Sequence, residues 1–89
     1  MGTKLHRVSI KVVSRGAKCT FNHKIGDEWI IDKAITPGGI CWVAFNDMLP
    51  SINVMMFGGS FPWQKDPDSC TVSCPHQENL TTFEIRRLD

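Results

Sequence analysis

Six side chains in this sequence belong to the types that ligate soft metals or form reactive thiolates: Cys19, His23, Cys41, Cys70, Cys74 and His76. The thiolate is the form of cysteine that attacks and that binds metal, and neutral imidazole is its commonest partner ligand. Cys19-x3-His23 reads as a loop between strands. Cys41 follows Pro37-Gly38-Gly39 and falls in the first turn of a segment with helical periodicity, where unpaired amides and the helix dipole favour a thiolate. Cys74 ends a strand and is followed by Pro75.

Zinc or iron takes four such ligands in a tetrahedron, with sulfurs within about 4 Å of one another. On one strand, at 3.3 Å per residue, the α-carbons of Cys70 and Cys74 stand about 13 Å apart, so only one of them joins any single site. Cys74, at the strand end, is the better placed. The expected ligand set is therefore Cys19, His23, Cys41 and Cys74, with Zn2+ ahead of iron and His76 as a substitute for His23. No Cys-x-x-Cys pair is present, so this spacing is not that of a zinc finger, and small cysteines also serve simply to fill core gaps. His6 is expected at an exposed strand edge.

Other chemistries find less. Cys41 or Cys74 as nucleophile or redox centre, with His23 as base, would need no metal, but neither a redox pair nor a nucleophile elbow accompanies them. Asp66 and Asp68 flank Pro67 in a turn, and Asp27-Glu28 lead into a strand, both ordinary places for acids. Gly38-Gly39 and Gly58-Gly59 lack the further glycines and lysine of a phosphate-binding loop. Residues 1–24 hold six cations (Lys4, Arg7, Lys11, Arg15, Lys18, Lys24) and no carboxylate. With a net charge of +1 and no interleaved aromatics, that arm reads as a solvated strand face and not as a nucleic-acid surface.

The elements that must carry these residues follow from periodicity. From Leu5 to Val13, Val8, Ile10 and Val12 alternate with Arg7, Ser9 and Lys11, the period of a half-buried strand. Lys24-Ile25-Gly26-Asp27 turns into a second strand, Glu28 to Ile31. Ile40, Cys41, Ala44, Phe45, Met48 and Leu49 recur at helical spacing, and Ile52, Met55 and Met56 continue the stripe. Pro50 predicts a break there, giving two short helices, because proline lacks the amide hydrogen and fits a first turn. Gly58-Gly59 ends the segment. Ser69 to Cys74 and Thr81 to Arg87 make a third and fourth strand, with Phe83 and Ile85 inward and Glu84 and Arg86 outward. The expected fold is α+β, with about four mainly antiparallel strands and one or two short helices between strands 2 and 3.

Eighty-nine residues make one domain, 1–89, and the 42% apolar content suffices for a thin core. No apolar run approaches the roughly 18 residues of a membrane span. The start, Met1-Gly2-Thr3-Lys4-Leu5-His6, carries neither a secretory nor a myristoylation pattern, so the expected location is the cytoplasm. In that setting four cysteines point to metal, redox chemistry or burial more than to disulfides. The Asn79-Leu80-Thr81 sequon then has no glycosylation role.

Together, His23-Lys24-x-Gly26-Asp27-Glu28, Pro37-Gly38-Gly39-x-Cys41, Phe57-Gly58-Gly59-x-Phe61-Pro62-Trp63, Asp66-Pro67-Asp68, Cys74-Pro75 and Phe83-Glu84-Ile85-Arg86-Arg87 resemble a family of short microbial proteins that occur as single or tandem copies of one unit. The likeness runs from Val8 to Leu88. It implies cysteines at the positions of Cys19, Cys41 and Cys74 and a histidine at that of His23. Cys70 falls outside the pattern. His76 stands where the family carries an acid, which counts against it as a site residue.

Three functions remain to be weighed: a Cys/His metal-binding module, a thiol-based enzyme, and a module that self-associates or docks on a host protein. The last rests on the Phe57 to Trp63 segment with Met48, Met55, Met56, Phe61 and Trp63, which would form an apolar patch unless these side chains cap the core beneath a loop.

Overall fold

The computed structural model describes residues 5–14, 24–32, 35–74 and 81–88. Its elements are β1 (Val8–Ser14), β2 (Glu28–Ile31), α1 (Trp42–Met56), β3 (Ser69–Ser73) and β4 (Thr82–Arg87). The four strands form one antiparallel sheet in the order β2-β1-β4-β3, with α1 between strands 2 and 3 in sequence. This is the expected α+β architecture.

Cross-strand partners sort the residues by face. Ile10 lies opposite both Trp29 and Ile85, Val12 opposite Phe83, and Cys70 opposite Ile85, so these side chains share the face that α1 covers. Val8, Ile10, Val12, Phe83 and Ile85 are fully buried there against Ala44, Met48, Ile52, Met55 and Met56. The other face is polar. Lys11 stands opposite Glu28 on one side and Glu84 on the other, so a cation of the basic arm meets acids on both neighbouring strands. Val13 is an extra residue between the Val12–Phe83 and Ser14–Thr82 pairs, a bulge that ends the regular ladder.

The helix differs from expectation in one respect. It is a single helix from Trp42 to Met56, with Pro50 inside it and no break. The amide that proline lacks would have bonded the Asn46 carbonyl one turn earlier. Asn46 and Pro50 both lie on the exposed side, where water can satisfy that carbonyl while the buried stripe holds the turns on either side together.

Two glycines close the helix for separate reasons. Gly58 has φ +87° and donates to the Met55 carbonyl at 3.3 Å, while Gly59 donates to the Val54 carbonyl at 2.8 Å. This pair of bonds is a Schellman cap, and it needs a left-handed residue at the first position. At the second, a Cβ would stand 3.0 Å from Val54 Cγ1 and 3.2 Å from its carbonyl oxygen, so a side chain there would push Val54 by a few tenths of an ångström.

Candidate functional site

The two ends of the sheet are built differently. At one end lie the start of β1, the end of β4 and the start of β3, and there Arg87 organises the structure. Its guanidinium donates to the carbonyls of Met55 (3.0 Å), Gly59 (2.9 Å) and Pro67 (3.0 Å), and through Nε and Nη2 to Asp68 Oδ1 at 3.0 and 2.8 Å. One planar fork thus joins β4, the C-terminus of α1 and the turn before β3. Arg87 faces the helix side opposite Val8, and its side chain is only 10% exposed. A cation set against the last carbonyls of a helix also complements the helix dipole. The His6 amide adds a bond to the Met56 carbonyl at 2.9 Å.

The turn that receives Arg87 is itself fixed. Asp66 accepts the Asp68 amide at 2.9 Å and takes Arg86 Nη1 at 3.0 Å. These bonds, the Asp68 amide first and then the Arg86 guanidinium, lower the Asp66 pKa. Residues of three quoted motifs, Gly58-Gly59, Asp66-Pro67-Asp68 and Arg86-Arg87, therefore meet in one structural clamp. Their job is to hold the chain, and catalysis is not implied by their concentration in the sequence.

At the opposite end lie the close of β1, the start of β4 and the close of β3. Helix α1 has its C-terminus pinned at the Arg87 end, and its 15 residues at about 1.5 Å each span some 22 Å. Gly39, just before the helix, would place a Cβ 3.6 Å from the Trp29 indole nitrogen, which ties the helix entry to β2. Cys41 is the N-cap residue of α1. Cys74 follows β3 directly, its amide donating to the Thr81 carbonyl at 2.8 Å. Both cysteines are half-buried and pack on the same core. Ser14 and Lys24, the described residues on either side of segment 15–23, also belong to this end, where the Gly26 amide bonds the Val12 carbonyl at 2.9 Å.

Cys41 is an odd choice for its place. Ser, Thr, Asp and Asn are the good N-caps because a side-chain oxygen reaches back to the first free amides. The Cys41 side chain makes no such cap bond, and the first turn holds no acidic residue. A thiol is thus set beside the positive end of a helix that does not use it as a cap.

Cys70 separates from the other two thiols. It is buried, inside the core on the helix side of β3, and burial raises its pKa, opposed by a bond from Ser51. Cys19 and His23 lie outside the described residues, as does His76. Among the described residues, no three His, Cys, Asp or Glu side chains gather as a metal site. His6, expected at an exposed edge, is half-buried instead, because its Nε2 sits against Gly58 at the helix terminus.

The expected apolar patch also needs correction. Met48, Met55 and Met56 belong to the core, since α1 turns that stripe onto the sheet. Phe61 is half-buried and stacks on Trp63 with ring centres 5.0 Å apart, leaving Trp63 73% exposed. Phe57, at the start of the Phe57 to Trp63 segment, is 59% exposed, and surface apolar groups outside it are Trp42 and Ile35, 80% and 68% exposed. Between the end of β2 and α1 runs a shallow apolar groove lined by Ile31, Ile35, Phe45, Leu49, Ile52 and Met56. No described helix is long and apolar enough to cross a membrane. Comparison with protein-family models, with curated proteins and with solved structures finds no match to this chain.

Proposed function

We propose that the domain is a Cys/His metal-binding module, taking Zn2+ in preference to iron through Cys19, His23, Cys41 and Cys74. What supports it is that Cys41 stands at the N-cap of α1 without serving as its side-chain cap, and that Cys74 follows β3 at the end of the sheet where β1 closes and Ser14 lies. Zinc held there would tie β3, the helix start and the β1–β2 connection together. That end would gain by metal what the other gains from Arg87. Thiolate ligands belong in a reducing compartment, so the reading also places the chain in the cytoplasm.

Cys41→Ser tests this by the sign of its effect. If the thiol has no ligand role, serine supplies the missing cap and raises stability by about 1 kcal/mol. If it holds zinc, the variant loses metal and the stability that metal gives. The measurement pairs metal content of untagged protein, by mass spectrometry, with urea unfolding of both forms. Less than half an equivalent of any transition metal after reconstitution, with a stabilised Cys41→Ser, would end the proposal. A thiol enzyme using Cys41 or Cys74 gains no specific support from the described residues.

A second reading, self-association or docking on a host protein, draws on the groove between β2 and α1 and on the exposed Trp42, Ile35 and Phe57. Light scattering over a wide concentration range decides it for self-association: a strict monomer removes that option.

A further inference from the structure

No further inference is drawn: the strongest candidate, the apolar groove that Ile31, Ile35, Phe45, Leu49 and Met56 line between the end of β2 and the helix, already underlies the second reading above, and nothing among the described residues shows which partner covers it.

Discussion

Replacing Arg87 with methionine keeps most of the side chain's apolar bulk and removes the fork. Five hydrogen bonds go, three to carbonyls and two to Asp68. They do not count equally. Asp68 is 56% exposed, so its share is that of a surface pair, below about 1 kcal/mol. The Gly59 and Pro67 carbonyls are solvent-exposed and can turn to water. The Met55 carbonyl is partly buried and keeps only the longer Gly58 bond. Bonds from a charged donor contribute about 1.5–3 kcal/mol each before such relief, so the net loss should be about 3 kcal/mol. A domain of this size has roughly 4–13 kcal/mol in all. Urea unfolding at pH 7 should therefore show a much lower midpoint with an unchanged slope. Arg87→Lys, which keeps the charge but not the planar fork, should lose less, about 1–2 kcal/mol. Asp68→Asn should lose under about 1 kcal/mol. An Arg87→Met variant within about 0.5 kcal/mol of the parent would refute the clamp. So would an Asp68→Asn loss as large as that of Arg87→Met, because the ion pair and not the carbonyl cage would then carry the effect.

Other consequences follow from the same geometry. Pro50→Ala should stabilise the domain, by up to about 3 kcal/mol, because alanine restores the amide bond to Asn46 within the helix; thermal melts check this. Gly58→Ala should cost about 1–2 kcal/mol from its positive φ, read by urea unfolding. In native protein freed of metal, a disulfide reagent at pH 8 should modify Cys74 readily and leave Cys70 untouched until the protein unfolds, as followed by mass spectrometry. Because the Cys70 pKa is raised in the fold, its neutral thiol favours the native state below the ordinary cysteine value and that contribution fades as pH climbs above it. Asp66 works the other way. Its lowered pKa gives stability that is present above the ordinary aspartate value and is lost as pH falls through the folded one, so Asp66→Asn should flatten the acid limb of a stability profile.

The strands were legible because alternation is a direct consequence of a sheet with one buried face. Val8, Ile10 and Val12, and Phe83 with Ile85, needed no tertiary knowledge to be placed inward. The break at Pro50 was misjudged because a local rule met a stronger tertiary one. Proline's cost falls on one exposed carbonyl, while the stripe from Ala44 to Met56 is buried on both sides of it. In the sequence Arg87 reads as the end of a strand and of the Phe83-Glu84-Ile85-Arg86-Arg87 motif. Its alternation correctly gives the helix-facing side, but nothing local says that three carbonyls from distant loops converge on it. A cation at a position that should be inward was the available signal, since buried arginine is rare unless it is paired.

The sequence motifs divide once the clamp is known. Gly58, Gly59, Asp66, Asp68, Arg86 and Arg87 are accounted for by backbone conformation and hydrogen bonds at one end of the sheet. Their chemical character is used up in holding the fold. Cys41 and Cys74 take no part in that clamp. The N-cap at Cys41 would be served better by serine or aspartate. A thiol there gives up cap energy at the helix start. The property that distinguishes cysteine from its replacements is the chemistry of sulfur, which is what the proposed metal site would use. That is why the metal reading stands on Cys41 and Cys74 before it stands on anything else, and why exchanging the Cys41 sulfur for oxygen is the sharpest way to break it.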